Sequence, residues 1–102
     1  MERALLEHYI GRSGFLKIMD VLMKHPSTDY SKKEIAEAAG ISESTLHRNW
    51  EEVEVLELVE PTRKYGKAQL YRLNQSSEIV KKLFALDQEV RRKHQEREKV
   101  KA

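Results

Sequence analysis

SKKEIAEAAGISESTLHRNW, residues 31–50, encodes the central feature of this chain, two short helices joined by a tight turn. Ser31 and Glu34 have the spacing of a capping box, in which each side chain pairs with the backbone amide of the other residue at a helix start. Gly40 is the residue type best able to adopt the left-handed conformation that ends a helix. We therefore predict a first helix that begins after Ser31 and ends at Gly40.

The second helix of this segment is predicted to begin at Ser42, whose hydroxyl can accept a hydrogen bond from an amide of the first turn. Its apolar residues are spaced four and three positions apart, as expected for one buried helix face. These residues are Leu46, Trp50 and Val53. The polar residues between them are predicted to face solvent.

A spacing pattern links the two helices: Ala36 lies within the first, Gly40 follows four positions later, and Leu46 lies six positions beyond the glycine. A small residue lets the helices cross closely, the glycine takes a positive φ, and the leucine anchors the second helix against the first. The pattern predicts a helix-turn-helix. The alternative is that two capped helices simply pack in a small bundle.

Residues 2–24 carry apolar side chains at helical spacing, so we predict an amphipathic segment that Gly11 and Gly14 divide into two helices. The second of these helices is predicted to end just before Pro26, because proline disfavours a helical conformation in the residue that precedes it. Residues 27–29 are then predicted to form a polar loop.

After the central helices, residues 58–63 and 68–74 are predicted to form the two strands of a hairpin, with Gly66 in the turn. Pro61 cannot donate a hydrogen bond to a neighbouring strand, so the first strand is expected at a sheet edge. The side chains predicted to face the core are Tyr71 and Leu73.

A last helix is predicted after Ser76 or Ser77. Its apolar side chains are Ile79, Val80, Leu83, Phe84, Leu86 and Val90. The chain is therefore expected to be mainly α with a small β-hairpin, in the order α-α-α-β-β-α, with extended terminal helices. At 102 residues it is expected to form a single domain.

Composition excludes several classes of function. The chain has no cysteine, which rules out disulfides and thiolate chemistry and predicts a reducing, cytoplasmic setting. No apolar run reaches the ~18 residues of a membrane span, and the first residues do not have the pattern of a signal peptide. The histidines are scattered at His8, His25, His47 and His94. We therefore predict no metal site, no cofactor and no enzymatic activity.

The net charge of +2 is unevenly distributed. Residues 91–102 contain six Lys or Arg against two Glu, a net +4, which leaves −2 for residues 1–90. Within residues 51–60, five glutamates occur without a lysine or arginine: Glu51, Glu52, Glu54, Glu57 and Glu60. Attraction of the whole chain to a polyanion is therefore weak, and any nucleic-acid contact must be local.

The order helix, turn, helix, strand, turn, strand over about residues 13–75 resembles the winged helix-turn-helix family of DNA-binding domains, in particular small bacterial and archaeal transcription regulators. The resemblance rests on residues 31–50 and on LVEPTRKYGKAQLYRLN, residues 58–74. It implies that the second helix of the motif enters the major groove of DNA and that the hairpin, called the wing, reaches the backbone or the minor groove.

The resemblance also implies which side chains contact DNA. On the recognition helix these are Ser42, Ser44, Thr45, His47, Arg48 and Asn49. In the wing they are Arg63, Lys64, Tyr65 and Lys67. Arg48 is the leading candidate for base readout, because its planar guanidinium can donate to both O6 and N7 of guanine. The wing cations are expected to neutralise phosphates, although they could instead only keep a sheet edge soluble.

Two features depart from the family pattern. Glu57 stands at the junction between helix and strand where the family usually carries glycine, which leaves two alternatives: the corner is built differently, or Glu57 has a mildly strained backbone. The glutamates at 51, 52 and 54 occupy the C-terminal half of the recognition helix, where phosphates would repel them. If only the N-terminal end of this helix enters the groove, these acids can point away from DNA or pair with basic residues elsewhere. If the helix lies flat along the groove, the DNA-binding interpretation fails.

The terminal helices carry more apolar surface than one small core needs, which predicts a homodimer; the alternative is a monomer in which both helices cover the core. The predicted interface residues are Leu5, Leu6, Tyr9, Ile79, Leu83, Leu86 and Val90. In this division, the core spans about residues 13–75, the segments 2–10 and 77–95 dimerise, and 96–102 form a charged tail. Two-fold symmetry would place two recognition helices ~34 Å apart on one face of DNA.

The leading prediction is a transcriptional regulator that binds double-stranded DNA sequence-specifically as a homodimer, with no cofactor and with any small-molecule effector left open. The alternative is a winged-helix module that binds another protein of a transcription or other assembly without sequence-specific DNA binding. The acidic half of the recognition helix favours this alternative.

Overall fold

The structure, a computed structural model, describes residues 14–101, with the side chains described as far as residue 97. Four helices and three strands follow one another along the chain. They are α1 (Gly14–Lys24), β1 (Tyr30–Ser31), α2 (Lys32–Ala39), α3 (Glu43–Val55), β2 (Val59–Tyr65), β3 (Ala68–Leu73) and α4 (Glu78–Lys101). The predicted class, mainly α with a small β element, is confirmed, whereas the predicted helix over residues 2–10 lies outside the described residues.

The three strands form one antiparallel sheet in the order β1-β3-β2. β2 is therefore an edge strand, as the proline at position 61 predicted. The strand β1 was not predicted, because its two residues carry no periodic pattern. It pairs with β3 through Tyr30 opposite Tyr71 and Ser31 opposite Leu70, so the predicted two-stranded hairpin is part of a three-stranded sheet.

β2 contains one extra residue relative to β3 between two of their paired positions. Pro61 pairs with Tyr71, whereas Lys64 pairs with Gln69, so two residues of β2, Thr62 and Arg63, lie opposite a single residue of β3. This is a β-bulge, which bends a strand and increases its twist. The bulge lies immediately before the turn of the hairpin.

The core lies between the first three helices, the sheet and the start of α4. Its buried side chains include all three residues predicted on the inner face of α3. They are Ile18, Met19, Leu22, Ile35, Ala36, Leu46, Trp50, Val53, Leu58, Val59, Leu73 and Val80. Tyr71 packs against this cluster, with its ring 5.0 Å from that of Trp50 in an edge-to-face arrangement. The predicted inward orientation of Tyr71 and Leu73 is thereby confirmed.

The ends of α2 follow the sequence prediction. Ser31 Oγ accepts a hydrogen bond from the Glu34 amide at 3.1 Å, and Glu34 Oε1 accepts one from the Ser31 amide at 2.8 Å, which completes the capping box. At the other end, Gly40 has φ 69°. Its amide donates to Glu37 O, and the Ile41 amide donates to Ala36 O. These bonds satisfy carbonyls that the helix end would leave unpaired.

The same arrangement ends α3, with a glutamate in place of glycine. Glu57 has φ 55°, its amide donates to Glu54 O, and the Leu58 amide donates to Val53 O, each at 3.0 Å. Asn74 Nδ2 donates to Glu57 O at 2.9 Å and holds the corner against the end of β3. Of the two alternatives for this junction, the structure has the strained one, a glutamate with a left-handed backbone.

α4 contacts the core near its beginning, through Val80, Leu83 and Phe84. Three further apolar side chains of this helix stay exposed, by 41% for Ile79, 40% for Leu86 and 43% for Val90. Beyond them the helix is charged and carries ion pairs between successive turns. None of the helices between residues 14 and 101 is both long and apolar enough to cross a membrane.

Candidate nucleic-acid interface

The N-terminus of α3 carries a group of hydroxyls. Ser42 Oγ accepts a hydrogen bond from the Thr45 amide at 3.1 Å, and it lies 3.3 Å from Ser44 Oγ and 3.0 Å from Thr45 Oγ1. This hydroxyl cap begins the helix as predicted. A helix N-terminus favours negative charge, because its first amides are unpaired and the helix dipole is positive there. The cap therefore forms a surface on which a phosphate can be stabilised.

Arg48 is exposed one turn further along α3. Its Nη2 donates to Thr45 Oγ1 at 3.0 Å, which orients the guanidinium along the outer side of the helix. Glutamates lie three and four positions later, but within the described side chains Arg48 forms no ion pair with an acid. Its remaining N–H groups are therefore available to a ligand.

Two of the predicted DNA-contacting residues face α1 instead of solvent. Thr45 and Asn49 are half-buried, and Asn49 Nδ2 donates to Thr45 O at 2.8 Å. A Cβ at Gly14 would lie 2.6 Å from that Nδ2 and 3.0 Å from Thr45 Cγ2. The two side chains thus fill the closest approach of α1 and α3. The exposed residues among the six predicted are Ser42, Ser44, His47 and Arg48.

The C-terminal half of α3 differs in character. Its exposed residues are acidic at Glu51, Glu52 and Glu54 and apolar at the end, where Val55 is 71% and Leu56 42% exposed. The outer side of one helix therefore changes from hydroxyls and a cation to carboxylates within about two turns. A polyanion can approach only the first half without repulsion.

The wing, formed by β2, β3 and their turn, ends in an exposed tip at residues 64–67. The turn has two residues, and Gly66 occupies its first position with φ 62°, which the tight turns of hairpins require. Tyr65 is 76% exposed. Neither Lys64 nor Lys67 forms an ion pair with a described side chain, so both ammonium groups remain available.

Arg63 is placed differently from the two lysines. Its Nε donates to Asp29 Oδ2 at 3.0 Å and its Nη2 to Asp29 Oδ1 at 3.4 Å. Thr62 Oγ1 donates to the same carboxylate at 2.6 Å. These bonds hold the pKa of Asp29 below its ordinary value, with the Thr62 bond as the largest cause and the Arg63 bond next. Arg63 is thus engaged within the molecule.

Sequence reasoning missed Asp29. The residue lies in the predicted polar loop, 34 positions from Arg63, and no local pattern connects the two. Only the pairing of β1 with β3 places the loop near the wing.

An open pocket of roughly 310 Å³ lies between the end of α3 and the sheet. Its lining combines two carboxylates with polar and apolar groups: Glu54, Glu57, Val59, Pro61, Gln69 and Tyr71. Burial raises the pKa of the Tyr71 hydroxyl, and the charge of Glu54 adds to the effect. Over the described part of the chain, no group of three or more His, Asp or Glu side chains could hold a metal ion.

Of the residues predicted to form a dimer interface, Ile79, Leu86 and Val90 lie exposed on α4, whereas Leu83 is half-buried against the core. Leu5, Leu6 and Tyr9 lie outside the described residues. Within the described residues, the predicted interface therefore corresponds to an exposed apolar stripe along α4 that borders the core.

Comparison with solved structures finds proteins of the same fold. The chain is similar to a homodimeric winged helix-turn-helix DNA-binding domain from Mycobacterium bovis, a possible ArsR-family transcriptional regulator. The two share 31% sequence identity and a TM-score of 0.58, over 94% of this chain and 89% of that one. No protein-family model matches the sequence, and a search of curated proteins finds no match.

Two further structures share the fold at lower identity. NolR from Sinorhizobium fredii is 21% identical with a TM-score of 0.57, over 88% of this chain and 92% of that one. An apo form of ZitR from Lactococcus lactis is 15% identical with a TM-score of 0.63, over 94% and 80%. The likeness to the mycobacterial domain extends from the fold to the sequence.

Proposed function

The chain belongs to the winged helix-turn-helix family of DNA-binding domains, and we propose that it is a transcriptional regulator that binds double-stranded DNA sequence-specifically as a homodimer. α3 is the recognition helix in this proposal, and its N-terminal half enters the major groove. The wing tip contacts the backbone or the minor groove.

The observation that carries the proposal is the state of Arg48. It is exposed, oriented by Thr45, and free of ion pairs with the described acids although glutamates follow on the same helix. An arginine in this position can donate to O6 and N7 of guanine, which discriminates against other bases by about 1–3 kcal/mol. Ser44 and His47 flank it on the exposed side.

The wing supplies the contacts that do not depend on sequence. Lys64 and Lys67 stand at an exposed tip without ion pairs to described side chains, and each can neutralise one phosphate. Tyr65 between them offers an exposed ring that can lie against a deoxyribose. The hydroxyl cap at Ser42 adds a phosphate contact at the start of the helix.

The exposed stripe of α4 supports the dimer. Ile79, Leu86 and Val90 would be covered by a second copy, together with the segment 2–10. The mycobacterial relative is itself a homodimer. Two-fold symmetry would present two recognition helices to half-sites about one DNA turn, ~34 Å, apart and would require a nearly palindromic operator.

Selection of bound duplexes from a random-sequence pool, followed by anisotropy titrations at physiological salt, tests this function. We expect a selected palindromic duplex to bind at least ~1000-fold tighter than its scrambled counterpart. Equal, weak binding of all duplexes would remove the sequence-specific part of the proposal.

Variants then separate base readout from phosphate contact. Arg48→Ala is expected to relax preference at one base position, whereas Lys64→Ala and Lys67→Ala should weaken binding to all duplexes and each lower the salt slope by about 0.9. Arg91→Ala, which removes an exposed arginine of α4, is the matched control and should change neither quantity.

A second candidate function is a protein-binding winged helix. The specific observation in its favour is the end of α3, where the exposed side chains of Val55 and Leu56 lie beside several glutamates. Such a surface fits a basic partner with apolar side chains. Binding of a basic protein in the absence of any DNA affinity would favour this function over the first.

A further inference from the structure

Asp29 connects two distant parts of the molecule. It lies just before β1, and its carboxylate accepts hydrogen bonds from Thr62 Oγ1 at 2.6 Å and from Arg63 Nε at 3.0 Å. The Asp29 side chain is only 18% exposed, whereas that of Arg63 is 68% exposed. The acid is therefore held in place by its surroundings, and the arginine is held by the acid.

The two donors are the two residues of the β-bulge. Thr62 and Arg63 together face Leu70 of β3, and at such a site the extra residue interrupts the hydrogen-bond ladder and bends the strand. A carboxylate that binds both residues of the bulge restricts that bend. The wing tip begins at the next residue, so its direction depends on the geometry of the bulge.

We propose that Asp29 is a positioning residue for DNA binding: by holding Thr62 and Arg63 it sets the direction of the wing tip and keeps Arg63 away from phosphate. The inference rests on the proposed function and revises the sequence prediction, in which Arg63 contacts DNA like its neighbours. Lys64 and Lys67 supply the positive charge of the wing tip, and Arg63, through its contact with Asp29, helps to position them.

The contacts of Asp29 are expected to affect the wing more than the stability of the fold. The Arg63 end of the pair is largely exposed, and exposed ion pairs contribute little to the stability of a fold. The core of the domain lies elsewhere and contains none of these three residues. We call the contacts of Asp29 with Thr62 and Arg63 the clamp. Loss of the clamp is expected to increase the mobility of the wing without unfolding the domain.

Backbone amide hydrogen exchange and DNA titrations on the same proteins test the clamp. Asp29→Ala should speed exchange at residues 62–67 and leave α2 and α3 unchanged. It should weaken DNA binding about three- to tenfold, the expected effect of ordering one or two more side chains at an interface. The salt slope should not fall, since no phosphate contact is lost.

Milder variants keep the test independent of folding. Asp29→Asn retains an oxygen for Thr62 and removes the charge, so an intermediate effect is expected. Thr62→Val removes only the hydroxyl bond. Glu60→Ala is the matched control, because Glu60 forms an ion pair at 2.9 Å with Arg72 on the same two strands but on the side of the bulge opposite the wing tip. It should leave both exchange at the tip and DNA affinity unchanged.

A thermodynamic cycle distinguishes positioning from general destabilisation. If Asp29 acts through the direction of the tip, Asp29→Ala should weaken DNA binding less than twofold in a protein that already carries Lys64→Ala and Lys67→Ala. A full additional loss in that background would overturn the proposal. So would unchanged or tighter binding by Asp29→Ala alone.

Arg63→Ala tests directly whether Arg63 contacts phosphate or instead binds Asp29. We expect it to behave like Asp29→Ala, with an unchanged salt slope. A slope that falls by about 0.9, as for the lysines, would make Arg63 a phosphate contact and overturn its assignment to the clamp. If no duplex binds at all, the proposed function fails, while exchange at residues 62–67 still decides whether Asp29 orders the wing.

Discussion

Gly40 and Glu57 occupy equivalent positions at the ends of two successive helices. Both have a left-handed backbone, with φ 69° and 55°, and the residues around each donate the same pair of hydrogen bonds to the preceding turn. For a residue with a Cβ the left-handed conformation costs about 1–2 kcal/mol, whereas glycine adopts it freely. The corner after α3 is therefore formed against a local backbone preference.

Replacement of Glu57 by glycine is expected to stabilise the domain. Relief of the left-handed strain outweighs the extra freedom that glycine brings to the unfolded chain, and we expect a gain of about 0.5–1 kcal/mol in the free energy of unfolding. Urea denaturation followed by circular dichroism measures it. Glu57→Gln, which removes the charge and keeps the Cβ, should lie close to the unmodified protein; a gain as large as that of glycine would assign the effect to charge repulsion.

The predictability of the site also differs residue by residue. The capping contacts of Ser31 and Ser42 join residues three positions apart, and sequence spacing alone was enough to predict them. The bond between Asp29 and Arg63 spans 34 positions and depends on strand pairing that the sequence does not display. Arg63, Lys64 and Lys67 look alike in sequence, and tertiary contact alone distinguishes the arginine.

At the scale of elements, the crossing of α1 and α3 decides which side chains of α3 remain exposed. Gly14 was predicted as a break between helices; in the structure it is the first residue of α1 and approaches Thr45 and Asn49. The helical period correctly predicted the face of α3 that carries Leu46, Trp50 and Val53. It could not predict that the margin of that face meets α1.

Gly14→Ala tests this crossing. The new Cβ would lie 2.6 Å from Asn49 Nδ2 and 3.0 Å from Thr45 Cγ2, so both side chains must shift and the hydrogen bond from Asn49 Nδ2 to Thr45 O is weakened. We expect a destabilisation of about 0.5–1.5 kcal/mol, the usual contribution of one such bond. Thermal unfolding measures it.

A second substitution serves as the control for this crossing. Asn49→Ala removes the side chain that clashes, so adding it to Gly14→Ala should recover part of the lost stability. If the two substitutions were simply additive, the close approach would not be the cause of the loss.

The elements themselves were predictable to different degrees. Helix boundaries near Pro26, Ser31, Gly40 and Ser42 follow from local chemistry, and they were predicted within a residue or two. The strand β1 and the bulge in β2 were not predicted, because each is defined by its pairing with β3. These two unpredicted features are the ones that bring Asp29 to the wing.

At the scale of the molecule, charge and apolar surface are segregated. The available cations of the proposed interface lie at the start of α3 and at the wing tip, the carboxylates collect at the end of α3, and the exposed apolar stripe runs along α4. A second copy that covers this stripe would leave both recognition surfaces free. The proposed dimer and the proposed DNA contact are therefore compatible in one molecule.

Substitution of Leu86 and Val90 by glutamate tests whether the protein forms a homodimer through α4. Both side chains are more than one-third exposed on α4, so the folded monomer tolerates charge there, whereas a dimer interface would have to bury it unpaired. We expect the dimer dissociation constant to rise at least ~10-fold per substitution. Sedimentation equilibrium measures this directly.

The matched control is Ala85→Glu, which places the same charge on an exposed position of α4 away from the stripe, and its association should be unchanged. DNA binding provides the second measurement. If the dimer spans two half-sites, the glutamate variants should bind a two-site duplex no tighter than a duplex that contains one site, because the second contact is no longer linked to the first. Undiminished preference for the two-site duplex in a monomeric variant would mean that cooperation between half-sites does not depend on α4.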